Sequence, residues 1–326
     1  MKAKPTGKRA EDNDELNLIK LASQYADEDA ARGLLEKMRW PKGAICPHCK
    51  CDDVYKLTPK PKSGKPGRKG LYSCAACRKQ FTVTVGTVFE GSHIPISKWL
   101  MAMFILCSAK KSISAMQMHR MLGITYKTSW FMCHRLRVAM TPADPVEPKL
   151  TGTVEVDETF VGGKGDRTTK FSRHTPVVAL VERGGVARVK VVASVTQKNL
   201  GAALDEYVSK EAVVNTDEHP GYKGPLKHWK AHHAVNHSEC EYKRENEDGS
   251  IASTNTAESF FSLLKRGVYG SWHHVSREHL PKYANEFAFR WSHRGTSDGE
   301  RMQALVPCSE GKRLFYRQPA LATVAQ

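Results

Sequence analysis

Apolar positions change period three times along the chain. From Leu16 to Arg39 they recur at helical spacing, at Leu18, Leu21, Leu34, Leu35 and Met38. Trp40-Pro41 ends that run, because proline disfavours helical geometry in the residue before it. Asp53 to Leu57 and Lys79 to Val85 read as short strands. The stretch 95–140 is helical again. Ser97 is placed to cap a helix from Lys98 to Ala109. Ser114 to Leu122, a turn at Gly123, and Thr125 to Met140 form a helix-turn-helix pattern, which an ordinary αα-hairpin would also produce. Prolines 142, 145 and 148 mark a linker at 142–149. Beyond Leu150 the period becomes two. Thr153 to Val161, Pro176 to Glu182 and Ala187 to Val195 are β-prone runs separated by glycines, the last two joined through Arg183-Gly-Gly185. A helix at Lys198 to Ser209, strands at Ala212 to Thr216 and His233 to Asn236, and a helix at Thr256 to Val268 follow.

Composition narrows the class. The 326 residues hold 50 Lys+Arg against 34 Asp+Glu, a formal charge of +16. A hydrophobic share of 40% excludes a collagen-like or disordered chain. No apolar run approaches the roughly 18–20 residues of a membrane span. Met1 to Lys20 has no apolar signal-peptide core, so a cytoplasmic protein is expected, nucleoid-associated when bound to DNA, with no membrane partner. A basic balance of this size favours a polyanion, usually nucleic acid. Ten Lys/Arg and two acids between Pro41 and Gln80 hold half of the net charge.

Nine cysteines without an export signal argue against disulfides. Cys46-Pro-His-Cys49 and Cys74-Ala-Ala-Cys77 are two CxxC turns, the pattern that tetrahedral Zn²⁺ requires. The 24 residues between them exceed the usual spacing, and the Pro/Gly/Lys-rich loop Thr58 to Gly70 accounts for the excess. The expectation is a structural zinc ribbon with a basic loop at its tip. Cys51 is a nearby rival, with poorer spacing than Cys49. DNA contacts are expected from Lys60, Lys62, Lys65, Arg68 and Lys69 in the loop, and from Lys127, Arg135 and Arg137, beside His134, on the second helix of the helix-turn-helix. His228, His232, His233 and His237 have spacings that fit no closed zinc site. Arg290, Trp291 and Arg294 carry phosphate-contact chemistry but serve equally for packing.

The fold expected is α+β and multidomain: a disordered tail at 1–15, an N-terminal helix plus zinc ribbon at 16–90, a helix-turn-helix region at 91–141, the linker, an RNase H-like α/β domain with a mixed sheet at 150–300, and a C-terminal tail at 301–326. Three strands followed by alternating helix and strand give the RNase H-like order. In that arrangement Asp157 on the first strand, Asp217 after the fourth and Glu258 on the later helix can converge. Clustered carboxylates repel unless a cation joins them, and Mg²⁺ (or Mn²⁺) takes oxygen ligands. Each residue has a plainer reading. Asp157 can be a polar strand edge, Asp217 a turn residue, and Glu258 the partner of Asn255 in a capping box. Glu155 shares a strand face with Asp157 and is the one local rival ligand.

Arg39-Trp-Pro41, the paired cysteines with Phe81, Gly86-Thr-Val-Phe89, Val156-Asp-Glu-Thr-Phe160 before Gly162-Gly-Lys164, Thr216-Asp-Glu-His219, Asn255-Thr-Ala-Glu258-Ser-Phe-Phe261, Lys265-Arg-Gly267 and His273-His-Val-Ser276 together resemble bacterial DDE-type insertion-sequence transposases with an N-terminal zinc ribbon. The resemblance spans roughly residues 25–295. It implies Asp157, Asp217 and Glu258 as the catalytic triad, with Asn255 as an alternative third ligand and Lys265 as the following basic partner. It also implies metal-dependent cleavage and strand transfer at terminal inverted repeats, transposon-end and target DNA as partners, and a homodimer or higher oligomer. A zinc-ribbon transcription regulator, or an RNase H-like nuclease without strand transfer, would share part of these features.

Overall fold

The computed structural model describes residues 15–59, 61, 67–143, 145–162, 174–247 and 249–316. Lys60, Lys62, Lys65, Lys164 and most of the expected tails lie outside them.

The N-terminal helical run is two helices. α1 (Leu18–Gln24) is capped by Asn17 and α2 (Glu28–Arg39) by Asp27, whose carboxylate accepts from the Asp29 and Ala30 N–H groups at 2.9 and 3.0 Å. The Asp27 cap, which starts a new helix three residues after Gln24, therefore breaks the expected single helix. β1 (Val54–Lys56), β2 (Tyr72–Cys74) and β3 (Gln80–Phe81) form an antiparallel ribbon that packs on α2. The family-like Arg39-Trp-Pro segment serves this packing. Arg39 donates to the Val83 and Val85 carbonyls at 2.5 and 2.8 Å and pairs with Glu310, while Trp40 meets Tyr72 and Phe81 edge-on.

α3 (Ile96–Ser108), α4 (Ala115–Leu122) and α5 (Tyr126–Ala139) form the helical region. Ser97 is not the cap of α3, which starts after Pro95. The Glu28 carboxylate from α2 accepts the Ile96 and Ser97 N–H groups instead, at 2.9 and 3.4 Å. Gly123 ends α4 at φ 58°, a left-handed conformation that favours glycine.

The second half is built on a five-stranded sheet. β4 (Thr153–Val161) is central, antiparallel to β5 (Thr175–Glu182), which pairs with β6 (Ala187–Val191). After α6 (Gln197–Tyr207), β7 (Val213–Thr216) lies parallel to β4, and β8 (Ala231–Ala234) parallel to β7. The order β6-β5-β4-β7-β8 is the RNase H-like one expected from the order of runs. A short hairpin, β9 (Arg244–Glu245) and β10 (Ile251–Ala252), leads into α7 (Asn255–Gly267) and α8 (Leu280–Ser292). Period-two geometry sends Val154 and Val156 into a core with α6. The opposite face packs Val177, Ala179 and Val181 against Phe260, Leu264 and Phe287 of α7 and α8. A Cβ at Gly267 would sit 2.4 Å from the Phe287 ring, so the crossing of these helices needs glycine there.

Three expectations change. Residues 298–308 are not tail but a helix, α9 (Asp298–Cys308), whose Met302, Leu305 and Val306 are buried in the N-terminal core. Arg137 is not on a DNA face. It is 1% exposed, its Nε donates to Glu286 of α8 at 2.7 Å, and its guanidinium lies 4.1 Å from the centre of the Tyr283 ring. Arg135 is 7% exposed and donates to the Glu90 carbonyl at 2.9 Å. Both lie on the part of α5 that packs inward, which alternation of basic residues along one helix does not reveal.

Glu286 is wholly buried and also accepts from Arg290 at 2.8 and 3.1 Å. Burial pushes its carboxyl up, but the two guanidinium groups outweigh it and hold the group below the ordinary value. Removing one partner of such a pair leaves a buried charge uncompensated. Arg137→Ala is therefore expected to lower unfolding free energy by about 3–5 kcal/mol, read in a urea titration, against under ~0.5 kcal/mol for an exposed control, Lys127→Ala.

Candidate active site and zinc centre

The zinc centre is assembled by two turns. Lys50 N donates to the Cys46 carbonyl and Arg78 N to the Cys74 carbonyl, both at 2.9 Å, and each turn brings its two cysteines together. The sulfurs of Cys46, Cys49, Cys74 and Cys77 lie within 4.8 Å of one another, with Cys46–Cys77 at 3.6 Å and Cys49–Cys74 at 3.5 Å. A tetrahedral Zn²⁺ with Zn–S bonds of about 2.3 Å sets its sulfurs roughly 3.8 Å apart. The donor set therefore fits zinc. Cys51 is outside it, and its sulfur accepts instead from the Asp53 N–H at 3.4 Å. Among the described residues no other group of three or more His, Cys, Asp or Glu is gathered this tightly.

The second site lies at the carboxyl end of β7, beside the middle of β4. Asp157 is half-buried on β4, and its Oδ1 accepts from the Glu158 N–H at 2.8 Å. Burial pushes its carboxyl up to about 7; the charges of Glu158, Asp217 and Glu258 add to the shift, against the Glu158 N–H. Asp217 follows β7 and accepts from the His219 N–H at 3.1 Å. Glu258, on the first turn of α7, is half-exposed and stands 3.7 Å from His237 Nε2. Asp157 thus lies within reach of the charges of Asp217 and Glu258, although the oxygens of the three are not all within 4.8 Å of one another. Lys265 is exposed on α7, two turns beyond Glu258.

The rivals separate. Thr254, not Asn255, stands at the N-cap of α7 and makes no side-chain cap bond, so the capping box is not formed. Asn255 is exposed in the first turn. Glu155 is fully buried and occupied elsewhere. Its Oε2 accepts from the Thr256 and Ala257 N–H groups at 2.6 and 3.2 Å, and its Oε1 from Arg183 Nε at 2.7 Å. Glu158 points to the other face of β4, where Tyr222 donates to it.

Sequence reasoning missed Glu155 as the cap of α7 and Arg183 as its partner. It also missed Glu218, whose carboxylate accepts from Ser238 and from the His237 N–H at 2.8 Å. The Ser238 and His237 bonds pull Glu218 down to about 2. The available signal for Glu155 was its position two residues before Asp157, which fixes its face but not its partner.

Of the expected DNA contacts within the described residues, Arg68, Lys69 and Lys127 are exposed. Lys69 pairs with Asp29, and Lys127 Nζ lies 4.5 Å from the centre of the Tyr316 ring. Arg290 is a packing residue, donating to the Ala109 carbonyl at 2.5 Å as well as to Glu286. No helix among the described residues is long and apolar enough to cross a membrane.

Two family models match this chain. An ISXO2-like transposase domain covers residues 149–292 and a transposase zinc-ribbon domain covers residues 26–80. The chain is also 29% identical over 287 residues to an uncharacterized protein in transposable element ISH50 of Halobacterium salinarum, spanning 82% of this chain and 91% of that one.

Two outcomes check the centres. Purified protein should carry one zinc per chain by elemental analysis. Cys74→Ser should lose it and Cys51→Ser should keep it; the reverse would contradict the ligand set. For Asp157, the folded value lies above the ordinary 3.8, so the fold favours the neutral form. The stability it contributes is full below about pH 4 and lost as pH rises through about 7. In metal-free protein the drop in unfolding midpoint between about pH 5 and about pH 8 should shrink in Asp157→Asn.

Proposed function

Because the chain belongs to the insertion-sequence transposases that carry a zinc ribbon before the catalytic domain, we propose that it cleaves DNA at the ends of its element and joins them to target DNA. Asp157, Asp217 and Glu258 are the proposed ligands of Mg²⁺ or Mn²⁺. The all-oxygen donor set suits these cations, and the burial and neighbouring negative charge that raise Asp157 are what a bound cation would offset. Divalent cations there supply activation of an attacking hydroxyl and stabilisation of the leaving oxygen.

The chain's own residues do the rest. β4, β7 and α7 hold the three carboxylates at one end of the sheet. Lys265 lies along α7 as a point charge for a DNA phosphate. The zinc ribbon with Arg68 and Lys69, and the exposed start of α5 with Lys127, bind the terminal repeats. In a helix-turn-helix the N-terminal residues of the second helix reach the groove, which favours Lys127 and sets Arg135 and Arg137 aside. Handling two ends together calls for a dimer or higher assembly. The observation that carries this reading is the placement of Asp157 on β4, Asp217 directly after the parallel neighbour β7, and Glu258 on the first turn of α7, which packs on β4, in an RNase H-like sheet.

Asp217→Asn should bind end DNA like the parent protein and cleave none of it in Mg²⁺. Surviving cleavage would remove Asp217 from the site. A pre-cleaved end incubated with plasmid should give joined product. Cleavage without joining would instead mark a nuclease, and end binding without either would mark a regulator.

A further inference from the structure

Glu155 is a carboxylate with no exposure to water, placed where the mechanism has no use for a fourth acid. Its bonds run to the start of α7, to Ser253 just before that helix at 3.4 Å, and to one arginine. Besides the Thr256 and Ala257 N–H groups, its Oε1 accepts from Thr256 Oγ1 at 3.0 Å. Arg183, from the β5–β6 turn, clamps the same carboxylate and reaches past it to the Ile251 carbonyl at 2.5 Å and Ser253 Oγ at 2.8 Å. These are the residues through which the chain enters α7. On the opposite strand, Asn215 of β7, level with Glu155, donates to the same Ile251 carbonyl at 3.2 Å.

A helix start needs acceptors for its first N–H groups, and a carboxylate there also complements the helix dipole. α7 has no side-chain cap of its own. The central strand supplies it, from the residue two before Asp157, and Glu258 follows one residue after Ala257. We propose that Glu155 is a positioning residue that fixes Glu258 relative to Asp157 and so sets the affinity of the carboxylate site for its divalent cations. The inference rests on the catalytic reading above. Glu155 touches neither cation nor DNA; it acts through the backbone of residues 256 and 257.

Replacing a group that orients a metal ligand typically costs 10–100-fold in metal affinity. Glu155→Gln keeps the side chain's shape and one acceptor oxygen, but loses the charge that Arg183 and two N–H groups share. The test measures Mn²⁺ binding to full-length protein by electron paramagnetic resonance titration, alongside thermal unfolding and Mn²⁺-dependent end cleavage. Glu155→Gln is expected to weaken Mn²⁺ binding about tenfold or more, and to raise by a similar factor the Mn²⁺ needed for half-maximal cleavage. End-DNA binding should stay unchanged. Thr256→Val, which removes only the Oγ1 donor, should shift both in the same direction by less, and decides the question if Glu155→Gln does not fold. Arg290→Lys serves as the stability control: it disturbs bonds to Glu286 and the end of α3, none of which involves Glu155, and should lower the unfolding midpoint without moving the Mn²⁺ dependence.

Unchanged Mn²⁺ affinity in a folded Glu155→Gln, or in Thr256→Val where Glu155→Gln does not fold, would overturn the inference. So would shifts in the Arg290→Lys control as large as those in Glu155→Gln. Asp217→Asn separates this failure from failure of the catalytic reading. If it loses cleavage while Glu155→Gln behaves like the parent, only the positioning role falls. If it cleaves normally, the reading beneath the inference falls.

Discussion

A buried carboxylate joins the central strand of the sheet to the helix that lies across it. Glu155 caps the start of α7 from outside the helix, and Arg183 balances its charge. Without this bond the first turn of α7 would have unsatisfied N–H groups beside a buried strand. The position of Glu258 depends on it, and the alternation along β4 puts Asp157 on the same face as Glu155. A one-residue slip of β4 would turn both acids to the other side of the sheet. The alternation that buries Val154 and Val156 against α6 holds that register with apolar contact.

A second buried carboxylate, Glu286, ties the halves of the molecule. Arg137 from α5 and Arg290 from its own helix share it, and Arg290 extends to the carbonyls at the end of α3. α9 adds apolar contact by returning to the N-terminal core. The α4–α5 pair is thereby fixed to the sheet domain through α8, so the exposed start of α5 has a set relation to the carboxylates.

Local rules made much of this legible. The paired CxxC turns identified the zinc ligands because four thiolates at that spacing have few alternatives. The period-two runs located β4, β5 and β7 to within a residue or two. The failures share a cause. Arg135 and Arg137 read as DNA-facing cations, but their partners, the Glu90 carbonyl and Glu286, are distant in sequence. The expected Ser97 cap failed because Glu28, 69 residues earlier, supplies the acceptor. The Asn255–Glu258 box failed because Glu155, from 101 residues before Thr256, caps the helix. In each case a partner distant in sequence took the place of the local reading, and sequence spacing carries no record of it.

The account stands on cations gathering Asp157, Asp217 and Glu258, and a crystal soaked in Mn²⁺ with anomalous diffraction measures that directly. The account predicts anomalous density among these three carboxylates, for two ions about 3.5–4 Å apart, with Glu155 still bound to α7. Density confined to the cysteine centre, or ligated by Asn255 or Glu155 in place of Glu258, would contradict it.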